Sequence, residues 1–191
     1  MEETIKELLE NIRMDSAEEF KMITVLNKVD SRYIRDLKVN VSNVLKSKYL
    51  SEKETALLSI SVSANTKNTK LIEGFSILAI ENGATEEEIA EAIACASLLA
   101  SNNVFYRFRH FLNKDSYNKM PGKIKMNIMM RPVGGKEFFE LMSLVVSAVN
   151  GCEMCVNAHE NSVLALGSSE ERIWDSIRLA SVITSLDKIM N

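Results

Sequence analysis

Two cysteines and a histidine fall close together late in the chain. The stretch Ser147 to Glu160 holds Cys152, Cys155 and His159, which are two of the three cysteines and one of the two histidines in the protein. Cys152 and Cys155 form a C-x-x-C pair, and His159 follows Cys155 by four positions. Residues four apart share one face of a helix, which puts His159 in reach of the Cys155 sulfur. Gly151, directly before the pair, marks where that helix starts. A thiol at a helix N-terminus feels the positive end of the helix dipole, which favours the thiolate. A thiolate, a second thiol and a nearby base are the parts of a dithiol redox site. Other roles fit the same residues. A C-x-x-C pair with a histidine supplies three ligands for zinc, although a second C-x-x-C or an H-x-x-x-H to complete such a site is missing. A structural disulfide is possible but would close too short a loop to constrain the unfolded chain much. Free cysteines are also often plain core residues.

The elements that must hold these groups are helical. The chain of 191 residues is long enough for one well-cored domain, and 46% of it is hydrophobic. Only two prolines and seven glycines punctuate it, and Ala, Leu, Glu, Lys and Met dominate; the fold class expected is all-α. With 23 basic and 26 acidic residues the net charge is −3, which argues against a nucleic-acid binder. No apolar run is expected to reach the length of a membrane span, and the first residues, with Glu2, Glu3 and Lys6, do not read as a signal peptide. The expected location is cytoplasmic, where a C-x-x-C is more often catalytic than structural.

Taken in order, Ile5, Leu8, Leu9 and Ile12 repeat at helical spacing. Asp15-Ser16 could cap a second helix carrying Phe20, Ile23, Val25 and Leu26, and Tyr33 to Leu45 reads as a third. Ser51 to Glu54 and Thr85 to Glu88 each have the form of a capping box. Between them Leu71 to Ile80 is apolar on most sides, predicting a buried helix that ends at Asn82-Gly83. The second boxed helix is expected to run through Ile89, Ile93 and Leu98. Asn102 to Met130, with its aromatics and arginines between Phe105 and Phe111, reads as a packed connector or a subunit contact. Gly134-Gly135 precedes a helix over Glu137 to Asn150. Cys95, in an apolar helix, is expected to be buried and inert, His110 to lie at the surface or an interface, and Trp174 and the ten methionines to fill the core.

A shift of 84 positions brings two halves into register without a gap: Val62-Ser63-Ala64 falls on Val146-Ser147-Ala148, Gly83 on Gly167, and Glu86-Glu87 on Glu170-Glu171. The whole chain, 1–191, is read as one helical domain with repeats at about 51–106 and 135–190. The reactive positions do not repeat. Cys152, Cys155, His159 and Glu140 face Asn68, Leu71, Phe75 and Ala56. This asymmetry points to a single working site in the later half. Glu140 itself sits among Phe138, Phe139, Leu141 and Met142, so partial burial with a partner is expected.

Glu140, eleven intervening residues, Cys152-x-x-Cys155 and His159 together resemble the signature of the AhpD alkylhydroperoxidase family, part of the AhpD-like and carboxymuconolactone decarboxylase superfamily. Asn102 to Arg107, Met126-Asn127-Ile128 and the two-unit plan are similar as well, from about residue 30 onward; the first thirty residues stand outside the likeness. The resemblance implies an AhpD-like helical fold and a homo-oligomer, a trimer. It implies a thiol-dependent peroxidase with no bound cofactor, reduced by the lipoyl group of a lipoylated dihydrolipoamide acyltransferase and supporting the peroxiredoxin AhpC. By the same resemblance Cys155 would become the sulfenic acid, Cys152 would donate a proton and close a Cys152–Cys155 disulfide, and His159 and Glu140 would form the proton relay. One departure stands out: Met154 occupies a position where the family commonly has a histidine, and a thioether cannot move protons. Glu153 is the neighbouring candidate to replace it. The other functions open at this point are a redox sensor, a metal-binding module, or a decarboxylase-like enzyme on the same fold.

Overall fold

A computed structural model describes residues 2–191. Among the described residues the chain is helical throughout, with no strand. Three helices, α1 (Glu2–Asn11), α2 (Lys21–Lys28) and α3 (Arg32–Val44), precede the first repeat. That repeat comprises α4 (Glu52–Thr66), α5 (Thr69–Glu81) and α6 (Glu86–Leu112). A short helix, α7 (Asp115–Asn118), and a 3-10 turn (Asn127–Met130) lead to α8 (Lys136–Val149), α9 (Glu153–Ala165) and α10 (Glu170–Asp187). The starts of α8, α9 and α10 each fall 84 positions after the starts of α4, α5 and α6.

The first helix of each unit is buried as a matter of composition. Every residue from Thr55 to Ser63 in α4 and from Phe138 to Ser147 in α8 is shielded from water. The serines among them close their hydroxyls onto the preceding turn, Ser59 on the Thr55 carbonyl at 2.7 Å and Ser143 on the Phe139 carbonyl at 2.8 Å, which makes them admissible in a core. Around α4 pack α5, α6, α8 and α10. Both expected capping boxes form, on Ser51 with Glu54 and on Thr85 with Glu88. An ion pair at the entry of each unit is conserved in place but reversed in sign. Lys53 meets Glu88 at 2.8 Å in the first, and Glu137 meets Arg172 at 3.1 Å in the second. Arg172 also reaches Glu54 at 2.7 Å and the Tyr49 carbonyl at 2.8 Å, tying the two units together. Burial alone would raise the Glu54 carboxyl, but hydrogen bonds from Arg172 and from the Ser51 backbone hold it below its ordinary range.

Several expectations change. The second helix begins at Lys21 with Phe20 as its cap, because Asp15 is spent on a turn, accepting from the Ala17 amide at 2.9 Å. The stretch 71–80 buries only the stripe Leu71, Gly74, Phe75 and Ala79; Ile77 and Ile80 lie off it and are half exposed. Trp174 is exposed, since α10 buries Ser176, Leu179, Ala180 and Ile183 and Trp174 lies on another face. Met22, Met120 and Met130 are likewise at the surface, while Met14, Met142 and Met190 are buried. Asn102 to Leu112 does not break from the preceding helix but continues α6 to 27 residues, with Phe108 and Phe111 left exposed. That extension makes α6 long and apolar enough to cross a membrane by length and composition, contrary to the expectation that no segment would be. It packs on α4, α8 and α9 and buries Glu91, Asn102 and Asn103 along its length.

The N-terminal segment is not an appendage. Leu8, Leu9 and Ile12 are fully buried, α1 packs on α3, and the chain after α1 crosses α5 at Gly74. A Cβ added at Gly74 would stand 2.3 Å from the Ile12 carbonyl oxygen, a backbone atom that cannot turn aside. Gly74→Ala is therefore expected to destabilise the protein by about 1–3 kcal/mol, the usual range for overpacking, read as a lowered Tm in thermal unfolding. An unchanged Tm would mean that the segment does not press on α5 in solution.

Candidate active site

The site is built where α8 hands over to α9. Asn150 is the last residue of right-handed helix, and Gly151 takes a left-handed conformation with φ of 67°. The Gly151 amide donates to the Ala148 carbonyl at 3.1 Å and the Cys152 amide to the Ser147 carbonyl at 3.0 Å. These two bonds are a Schellman closure, for which glycine at the left-handed position is the unstrained residue. The chain leaves this turn with Cys152 as the N-cap of α9 and Cys155 three positions into it. An N-cap side chain naturally leans over the third helical residue, the position whose amide it would otherwise bond. In the first unit that contact is made by Asn68, whose carboxamide oxygen accepts from the Leu71 amide at 3.1 Å. In the second unit both positions carry sulfur, and the Cys152 and Cys155 sulfurs stand at bonding distance, 2.22 Å, with Cα atoms 5.3 Å apart. Among the described residues no three His, Cys, Asp or Glu side chains gather where they could hold one ion.

His159 lies one turn beyond Cys155 on α9, and Glu140 comes to it from α8. The His159 Nδ1 and Glu140 Oε2 are 2.7 Å apart, with both side chains largely buried. A carboxylate at that distance places the proton on Nδ1 and leaves Nε2 as the basic lone pair. Glu140 can be buried because its neighbours Phe138, Phe139, Leu141 and Met142 hold α8 in the core, while the imidazole supplies its partner. The equivalent positions in the first unit, Ala56, Leu71 and Phe75, are fully buried apolar packing.

A cavity of about 360 Å³ opens at this point. Cys155 and His159 line it together with Asn102 and Tyr106 from α6, Met126 and Met129 from the 3-10 region, and Met154 and Ala158 from α9. Cys152 is not part of the lining and is 1% exposed. The second cysteine of the pair, and not the first, is the sulfur with access to the cavity. Met154 is part of the wall. Glu153 does not replace the missing imidazole: its side chain is exposed and points to His110, 3.6 Å away. A polar network behind the cysteine turn fixes its position. Asn103 donates to Ser147 at 2.9 Å, Asn150 donates to Asn103 at 2.9 Å and exchanges bonds with Asn65, and Arg107 donates to the Asn150 carbonyl at 2.7 Å.

Cys155, His159 and Glu140 were identifiable from residue type and spacing. Asn102, Tyr106, Met126 and Met129 also line the cavity, and spacing alone does not reveal it: they come from the stretch Asn102 to Met130, which reads as a connector or a subunit contact.

Two comparisons with known proteins bear on this site. Residues 126–191, which contain all four candidate residues, match the carboxymuconolactone decarboxylase family. The chain is similar to alkyl hydroperoxide reductase AhpD of Anaeromyxobacter dehalogenans strain 2CP-C, 39% identical over 150 residues, spanning 78% of this chain and 80% of that one. It is also similar to proteins of the same name from Coxiella burnetii strain Dugway 5J108-111 and Rhodopseudomonas palustris strain BisB18. The first is 37% identical over 161 residues, covering 82% of this chain and 90% of its own. The second is 35% identical over 154 residues, covering 81% and 84%.

The remaining cysteine behaves differently. Cys95 is fully buried, its sulfur 3.6 Å from the Ser143 hydroxyl. Burial pushes its thiol up to about 12, with the Glu91 and Glu140 carboxylates adding to the shift and the Ser143 hydrogen bond opposing it. At pH 8 the folded, reduced protein is therefore expected to leave Cys95 unmodified by iodoacetamide, and the unfolded protein to label it readily, as read by peptide mass spectrometry. Labelling of Cys95 in the folded state at a rate like that of the unfolded chain would contradict its placement in the core.

Proposed function

Because the chain belongs to the AhpD family of alkyl hydroperoxide reductases, within the AhpD-like and carboxymuconolactone decarboxylase superfamily, we propose that it reduces organic hydroperoxides with the Cys152–Cys155 dithiol. The observation that carries this reading is the shared cavity. One sulfur of the pair and one imidazole face the same apolar space, and a carboxylate holds the imidazole from behind.

In the reduced enzyme His159 Nε2 takes the Cys155 proton, directly or through one water. Glu140 stabilises the imidazolium that results. The Cys155 thiolate attacks the terminal oxygen of the hydroperoxide. An S–O bond forms, the O–O bond breaks, and the electron pair leaves on the alkoxide, which takes the proton held by His159. Cys155 is now a sulfenic acid. The Cys152 sulfur, poised over the third residue of α9, attacks it; the S–S bond forms, and hydroxide leaves with the Cys152 proton as water. The sum is one dithiol and one hydroperoxide giving one disulfide, one alcohol and one water. The first turn of α9 supports each thiolate stage, since its free amides and dipole favour negative charge at Cys155.

The disulfide is returned to the dithiol by exchange, and the donor we propose is the lipoyl group of a lipoylated dihydrolipoamide acyltransferase. Its thin, apolar arm suits the cavity walls of Met126, Met129, Met154 and Ala158. AhpC, a peroxiredoxin, is the proposed recipient of electrons, in a cytoplasmic setting. A homotrimer is the proposed assembly, and the exposed Val104, Phe108 and Phe111 on α6 offer it apolar surface. With Met154 where the family carries a histidine, the proton relay here is the Glu140–His159 pair alone.

Lipoamide-coupled turnover of cumene hydroperoxide tests this reading. Cys155→Ser should fall to background, and Glu140→Gln should lower kcat/KM about 100-fold, within the usual range for loss of general acid–base catalysis. Turnover by Cys155→Ser at the wild-type rate would end the proposal.

A further inference from the structure

One wall of the cavity comes from a stretch without regular α-helix, and its fastenings are unequal. Met126 and Met129 line the cavity from the segment that runs through the 3-10 turn to α8. Two attachments are slight. The Met126 thioether, a weak acceptor, takes a hydrogen bond from Asn102 at 3.1 Å, and the Met129 carbonyl takes one from the exposed Lys136 at 3.0 Å. The third is built into α6. Glu91, 5% exposed, accepts from the Val133 amide at 2.7 Å on Oε1 and from the Gly134 amide at 2.8 Å on Oε2. Among the described residues no cation pairs with Glu91, so these two amides are what make its burial tolerable. Gly134 lets them close: a Cβ there would stand 3.3 Å from Glu91 Oε2 and 3.3 Å from the Phe138 ring. Glu91 precedes Asn102 by eleven residues, three helical turns, and so shares a face of α6 with it.

We infer that Glu91 is a positioning residue that sets the substrate class of this site: by latching Val133 and Gly134 to α6 it holds Met126 and Met129 as a fixed apolar wall, which selects hydroperoxides with a bulky apolar carbon group over hydrogen peroxide. The inference rests on the peroxidase reading above and deepens it. Helix α6 makes one wall of the cavity with Asn102 and Tyr106 and fixes another through Glu91. The reacting groups are held from elsewhere. Cys155, His159 and Glu140 stand on α8 and α9, which pack on each other and, through α8, on α4 and α10. Loosening the latch therefore spoils the fit around a substrate's carbon group and leaves attack of the Cys155 sulfur on the O–O bond as it is. Methionine side chains adapt to varied apolar shapes, provided the backbone beneath them stays put. A substrate's carbon group loses contact with water against such a wall, whereas hydrogen peroxide has no carbon group to place there.

The test compares two peroxides on the same thiols. Reduced wild-type protein and Glu91→Gln are mixed with cumene hydroperoxide and, separately, with hydrogen peroxide, and the second-order rate of thiol loss is measured for each. The carboxamide of Glu91→Gln sets a donor against one of the two amides and undoes the latch. The wild type is expected to prefer cumene hydroperoxide by about 10-fold or more. Glu91→Gln is expected to react about 10-fold more slowly with cumene hydroperoxide and within about twofold of wild type with hydrogen peroxide. Unchanged rates, or an equal loss with both peroxides, would overturn the inference, since general damage to the fold does not distinguish the two. A wild type inert to both peroxides would overturn the peroxidase reading and this one with it, whereas a reactive wild type without preference overturns this one alone. Amide hydrogen exchange of the unmodified protein checks the latch whether or not the variant folds. The Val133 and Gly134 amides should exchange far more slowly than in an unstructured peptide, and exchange at the unstructured rate would contradict the assignment.

Discussion

The rest of the site depends on one turn. When α8 ends at Asn150, the left-handed Gly151 reverses the chain so that α9 starts against the helix it has just left. That reversal does three things at once. It puts Cys152 at the N-cap and Cys155 in the first turn, so that the two sulfurs meet. It turns the first turn of α9, with its unpaired amides, toward the sulfur that faces the cavity. And it lays α9 along α8, so that His159 meets Glu140 at 2.7 Å. A register change of one residue at this turn would separate the sulfurs from the cap and the imidazole from the carboxylate together.

The same frame occurs twice and carries chemistry once. In the first unit the turn is made by Lys67, with φ of 64°, and by bonds from the Lys67 and Asn68 amides to Ala64 and Ser63. There the cap is an amide side chain and the facing positions are Leu71 and Phe75, fully buried. The backbone geometry that places two sulfurs in one unit packs a leucine and a phenylalanine in the other. The proposed function is thus a matter of four side chains on a shared scaffold. The reversed ion pairs, Lys53 with Glu88 and Glu137 with Arg172, make the same point, since the contact is kept while the signs exchange.

Local rules made most of this legible in the sequence. Both capping boxes, the helix ends at Gly83 and Gly151, and the Glu140, Cys152, Cys155 and His159 constellation follow from residue type and spacing within a few turns. What spacing could not supply was which face of a helix is covered. Trp174 and Ile80 have apolar neighbours at helical intervals yet lie outside the stripes that α10 and α5 bury. Residues 2–30, outside the family likeness, are held in by Leu8, Leu9, Ile12 and the close approach of Ile12 to Gly74. The cavity lining was hidden for the same reason. Asn102, Met126 and Met129 reach the site only through the packing of α6 and of an irregular segment with no periodicity to read.

The central claim is that the cavity presents the Cys155 sulfur to a peroxide while Cys152 waits behind it. The most direct measurement removes the second sulfur and traps the product. Cys152→Ser, reduced and treated with one equivalent of cumene hydroperoxide in the presence of dimedone, should carry the sulfenic-acid adduct on Cys155, with none on Cys95. The matching Cys155→Ser protein should leave Cys152 unmodified over the same time. An adduct on Cys152 that forms as fast as the one on Cys155, or no adduct on Cys155 at all, would contradict the account.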